Sequence, residues 1–196
     1  MYLDQALKEW AVTVDALLGG KTVMLIRKGG IRDGRGHFTV KAQRVLLFPT
    51  YEHQRSPLLK PAFADLPTSN NSAETIPLAG WAEITHAVMI QAPAAVQRLD
   101  PWHIWNQTFV DQRLQWQPQR PLAVLLLRSH RLSTPVQIPQ RPEYGGCRSW
   151  ISLAESVDIT ASQPVLATDA YEAQVEEILG VIAHDGLVQT VADVGD

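Results

Sequence analysis

From residue 3 to residue 18, Leu3, Leu7, Trp10, Ala11, Val14, Leu17 and Leu18 recur every three or four positions, with Asp4, Gln5, Lys8, Glu9 and Asp15 between them. This spacing predicts an amphipathic helix over 3–18, closed by the Gly19-Gly20 pair. Two short apolar runs, 23–26 and 45–48, then read as a pair of β-strands, with Pro49 ending the second. Residues 81–91 are apolar on both alternating faces, as in a central strand, and 122–127 are apolar at every position, as in a strand covered on both sides. Thr134 to Pro139 is short and proline-bounded, which suits an edge strand or extended loop, and Ile151 and Leu153 open a last strand.

Three further helices are expected. One starts at Pro93. Another is capped by Asp100-Pro101 and carries Trp102, Trp105 and Phe109 at core spacing. The third is capped by Asp169 with Glu172 three positions on, carries Tyr171, Val175, Ile178, Leu179 and Ile182, and stops at Gly186. Between 56 and 80 lie Pro57, Pro61, Pro67 and Pro77 around a polar Ser/Asn centre, the composition of a long loop. These elements divide the chain into a single core domain, 1–160, with a mobile loop at about 64–77, and an acidic helix and tail, 161–196, packed on that core. The order contains too few βαβ units for a doubly wound sheet, so the expected class is α+β with a small curved, mostly antiparallel sheet or open β-barrel.

Charge changes the picture more than composition does. The net charge is −3, yet residues 21–60 hold nine Lys or Arg against two acids, and 151–196 hold nine Asp or Glu and no Lys or Arg. A basic connection between the first two strands suits an anionic partner, and the acidic end suits a protein partner or a shield over the basic loop. The longest apolar run is too short to span a bilayer, and Asp4, Lys8 and Glu9 interrupt the place of a signal region, so a cytoplasmic protein without a membrane anchor is expected. A single cysteine agrees with a reducing compartment.

The candidate chemistry follows the basic connection. Arg27, Lys28, Arg32 and Arg35 stand among glycines that let a backbone approach phosphates, although the glycine spacing matches neither a Walker loop nor a dinucleotide fingerprint. Tyr51, His53 and Gln54 form a polar rim able to stack on or hydrogen-bond a base, joined by Tyr144, Arg148 and Trp150 near two glycines. These ten residues are the candidate nucleic-acid contacts, for DNA or RNA. Asp33 with Glu52 and Gln54 offers a second reading, a metal-dependent nuclease. A protein-interaction scaffold without nucleic acid is the third. Cys147 next to Trp150 reads as buried, the histidines lack paired metal-ligand spacing, and neither a catalytic residue, a metal nor a cofactor is assigned.

Leu7-Lys8-Glu9-Trp10-Ala11-Val12, Leu25-Ile26-Arg27-Lys28-Gly29-Gly30-Ile31, Phe48-Pro49-Thr50-Tyr51-Glu52-His53-Gln54 and the Tyr144 to Trp150 segment resemble, in this order, a bacterial family known as domain of unknown function 1802. The resemblance brings no catalytic residues. It implies a role near DNA, since related domains are fused to Mrr-type restriction endonuclease domains. Leu17-Leu18-Gly19-Gly20-Lys21-Thr22 is also similar to the helix-to-strand passage of PUA-like barrels, including the ASCH and EVE groups. That similarity implies a PUA-like fold and binding of nucleic acids or modified bases.

Overall fold

The computed structural model describes residues 1–28, 39–52, 54–64, 74–183 and, for the backbone alone, 186–190. The chain opens with a strand where the spacing predicts a helix: β1 spans Tyr2–Trp10, and α1 occupies only Ala11–Leu18. β1 runs between two neighbours, β3 (Arg44–Thr50) in parallel and β6 (Trp150–Asp158) antiparallel. Ala6, Leu7, Lys8 and Glu9 are therefore buried in succession. Burial on both faces removes the alternation that marks a half-exposed strand, and the apolar residues that remain happen to continue the helical period of α1. Gly19 and Gly20 close α1 as expected, with Gly20 at φ +67°.

The other strands are β2 (Met24–Lys28), β4 (Thr75–Ile90), β5 (Leu122–Pro139), β7 (Ser162–Pro164) and β8 (Gly186–Thr190). The sheet order is β2-β5-β4-β3-β1-β6, with β7 alongside β5 and β8 alongside β4. All pairings are antiparallel except β1 with β3. This is the expected α+β fold on a curved, mostly antiparallel, open sheet. Several expectations need correction. β2 and β3 are not a ladder pair, because β2 lies on β5 and β3 between β4 and β1. The β3 ladder does not stop at Pro49 but continues to Thr50, opposite Trp10. β4 begins at Thr75, so Pro77 belongs to a strand. Among the described residues β4 pairs there only with β5, and the missing proline N–H falls on the side away from β5. The mobile-loop expectation otherwise falls on 65–73, outside the described residues.

Four more helices follow: α2 (Pro61–Ala64), α3 (Pro93–Arg98), α4 (Gln107–Gln115) and α5 (Thr168–Ile182). Asp100–Trp102 forms only a 3-10 turn, and α4 starts after Asn106, whose Oδ1 accepts from the Phe109 N–H. α5 starts at Thr168 without a side-chain cap, placing Asp169 in its first turn, where the positive helix end favours it. Gly186 opens β8 instead of closing α5. Alternation sorts the sheet into two cores: Leu7, Val45 and Leu47 face a large cluster shared with α1, α3, α4 and α5, while Ala6, Leu46 and Phe48 face a smaller one with Tyr144, Ile151 and Leu153. Among the described residues no helix is long and apolar enough to cross a membrane.

His103 is almost wholly buried between the 3-10 turn and α4. Burial, helped by the Lys60 ammonium, pushes its pKa down to about 4, and burial pushes His86 and His130 the same way. A group whose folded pKa is depressed takes its proton more readily when unfolded, so its contribution is complete above about pH 6.5 and is lost as pH falls towards 4. Urea unfolding of the wild type should therefore show about 2 kcal/mol more loss between pH 7.5 and pH 5 than the His103→Gln variant does. Equal losses would remove His103 from the account.

Candidate functional site

The last residues of β1 point alternately to the two faces of the sheet, and two ion pairs result. Lys8 turns to the smaller core, where its ammonium donates to Glu52 Oε2 at 3.0 Å and to the carbonyls of Tyr144 and Gly146 at 3.0 and 3.1 Å. All three of its protons are thereby used. Glu9 turns the other way. Its Oε2 lies 2.9 Å from Arg27 Nη2, and its Oε1 accepts from the Trp10 N–H at 2.9 Å. Arg27 also donates to the Lys8 carbonyl. β2, which carries Arg27, is separated from β1 in the sheet order by β5, β4 and β3. The Glu9–Arg27 pair thus ties two strands that share no ladder among the described residues, across the side where the curled sheet stays open.

Next to this pair lies a groove of about 360 Å³, lined by Trp10, Arg55, Leu58, Phe109, Gln112, Arg113 and Trp116. One wall comes from the end of β1 and the 3-10 turn Ser56–Leu58, the other from α4 and the residue after it. Phe109 organises the inner part: Trp10 meets it edge-on at 5.7 Å, Trp105 stacks behind it at 4.9 Å, and the Arg113 guanidinium lies 4.9 Å over its ring. Burial pulls the Arg113 pKa below its ordinary range, with Glu9 opposing the shift and Arg27 adding to it. At the mouth, Trp116 is 40% exposed. Arg55 is exposed as well, and its guanidinium has no ion pair or hydrogen bond among the described residues. An aromatic, partly cationic groove of this kind suits a planar ring carrying negative charge.

Of the ten residues singled out from the sequence, none that is described lines this groove. Arg27 is held by Glu9, and Lys28 is buried with its ammonium on the Arg113 and Leu114 carbonyls at 2.8 and 3.3 Å. Burial, then Arg113, lowers the Lys28 pKa. Lys28 is therefore a brace beneath α4 instead of an exposed phosphate ligand. Arg32, Arg35, His53 and Asp33 lie outside the described residues. Tyr51 is half-buried, and Gln54 Oε1 accepts from the Val12 N–H at 3.1 Å, supplying α1 with the cap that Trp10 cannot provide. Tyr144 belongs to the smaller core: its ring meets Phe48 at 5.7 Å and its hydroxyl accepts from the Ala154 N–H at 3.1 Å, which takes it out of the base-reading set. Trp150 is half-buried and donates to the Thr39 carbonyl at 3.1 Å. Arg148 is exposed, with Nη1 3.4 Å from the Glu143 carbonyl, and Cys147 is exposed where burial was expected. Sequence reasoning passed over Trp10, Arg55, Arg113 and Trp116. Trp116 carried the one usable signal, a large aromatic within the polar stretch 111–121.

Residues 6–177 match the family described as Domain of unknown function (DUF1802). The chain belongs to this family. Comparison with curated proteins gives no match. Among solved structures, this DUF1802 chain is similar to the crystal structure of the ASCH protein from Zymomonas mobilis, at 10% identity and a TM-score of 0.46, over 88% of this chain and 93% of that one. Crystal structures of two point variants of the same protein align equally well, at 10% and 11% identity and TM-scores of 0.46, over 88% of this chain and 94% and 96% of theirs. No residue role passes across this likeness.

Removing one partner of a buried ion pair strands the other charge, which typically costs about 3–5 kcal/mol. Glu9→Gln and Arg27→Met should each destabilise the DUF1802 domain by roughly that amount in urea unfolding, and the double variant by clearly less than the sum of the two. Additive losses would show that the two side chains act independently.

Proposed function

We propose that this DUF1802 domain recognises nucleic acid, or a modified nucleotide, without cutting it, as part of nucleic-acid processing such as restriction in the cytoplasm. The observation that carries the reading is the groove itself: Trp10 and Trp116 offer ring surface around the buried Phe109, and Arg55 and Arg113 offer cations on both walls. A base enters the groove and stacks, while phosphates meet Arg55 at the mouth.

The nuclease reading receives less support. It rests on the carboxylates of Asp33 and Glu52 holding a cation, but Glu52 Oε2 is paired with the Lys8 ammonium at 3.0 Å. The other carboxylate in that reading, Asp33, lies outside the described residues.

Fluorescence anisotropy with a labelled single-stranded 12-mer tests the proposal. Affinity should fall steeply as salt rises, because each phosphate contact releases a counterion. Arg55→Ala should reduce the log–log salt slope by about one, and Trp116→Ala should weaken binding by about tenfold or more with the slope unchanged. A flat salt dependence, or binding indifferent to both substitutions, would contradict this assignment.

A further inference from the structure

Both walls of the groove converge on one side chain that lines neither. The Asn106 backbone N–H donates to the Leu58 carbonyl at 3.0 Å, and its Nδ2 donates to the Pro57 and Leu59 carbonyls at 2.8 and 3.3 Å. Its Oδ1 accepts from the Phe109 N–H at 3.2 Å in the first turn of α4. Three bonds thus run to the segment that carries Arg55 and Leu58, and one to the helix that carries Phe109, Gln112 and Arg113. We infer that Asn106 is a positioning residue for this groove, fixing the 55–59 wall to α4 at the separation that grips a ring. The inference rests on the groove being the nucleic-acid site.

The chemistry singles out an amide. Aspartate offers the acceptor without the two donors, and serine caps a helix well but does not reach two carbonyls. The Asn106 N–H on the Leu58 carbonyl and the Lys60 N–H on the Ile104 carbonyl at 2.9 Å together make the Leu59–Trp105 bridge, and neither bond depends on the Asn106 side chain. Loss of Nδ2 consequently frees the 55–57 end, while the Asn106 N–H still holds the Leu58 carbonyl. Stacking needs contact at van der Waals distance, whereas attraction between Arg55 and a phosphate survives a displacement of an ångström or more. Asn106 therefore governs the part of binding that depends on a base, and leaves the salt-dependent part in place.

The test pairs two readouts on the full chain. Hydrogen–deuterium exchange of the free protein should be faster at 55–59 in Asn106→Ser, with α4 protected as in the wild type because serine retains the cap. In binding, the wild type should prefer a 12-nucleotide thymidine oligomer to an abasic oligomer of the same length, and Asn106→Ser should reduce that preference by about tenfold with the salt slope unchanged. Asn106→Asp, which keeps the cap acceptor and sets a carboxylate against two carbonyls, should do the same and serves if the serine variant does not fold. Unchanged exchange at 55–59, or a base preference that survives either substitution, overturns the role of Asn106. If the wild type binds neither oligomer, the nucleic-acid reading of the groove falls, and with it the role given to Asn106 in binding.

Discussion

The open sheet leaves its first strand, β2, without a ladder to β1, and the Glu9–Arg27 pair spans that gap. Both side chains are largely buried, at 10% and 16% exposure, so the pair's net stabilisation is small once desolvation is subtracted. Its value lies in specifying one arrangement. Arg27 holds the Glu9 carboxylate and the Lys8 carbonyl together, which fixes β2 against the end of β1. The second Glu9 oxygen takes the Trp10 N–H, the first backbone group freed as strand gives way to helix. That bond directs Trp10 to Phe109 and into the groove.

The rest of the sheet makes this closure possible. β4 and β5 are long enough to take part in both cores, with Ile84 to Ile90 facing the larger and Ile76 to Trp81 the smaller. Register shifts between Leu78 and Gly80 and between Ile84 and His86 bend the pair where it passes from one to the other. Gly80 lies at the first bend, where any Cβ would run into the His130 carbonyl and the Leu18 side chain. A glycine is needed there because two backbones and a helix meet.

Much of the fold was legible because its strands are buried in ways that leave distinct traces. The run at 122–127, the two-faced strand at 81–91 and the short proline-headed helix at 93 all appear where periodicity places them. β1 was hidden for a physical reason: Lys8 and Glu9 sit at positions that resemble a solvated helix face, and only tertiary partners, Glu52 and Arg27, allow them to be buried side by side. The site was less legible still. The segment rich in cations drew attention, but the groove is assembled from Trp10, Arg55 and the Arg113 to Trp116 turn, three stretches far apart in the chain that share no motif. Tyr144 showed the opposite error, an aromatic near glycines that packs on Phe48.

The proposed function rests on where the aromatic rings meet Arg55, a cation with no ion pair among the described residues, at the mouth of a groove held on one side by the β1–β2 ion pair and on the other by the cap of α4. The most direct test is to photocross-link a single-stranded oligonucleotide containing 4-thiouridine to the full chain and map the adducts by mass spectrometry. Adducts concentrated on Trp10, Phe109 or Trp116 are the predicted result. Adducts confined to α5, or to the exposed Tyr2 at the far end of β1, would contradict the claim that this groove receives a base.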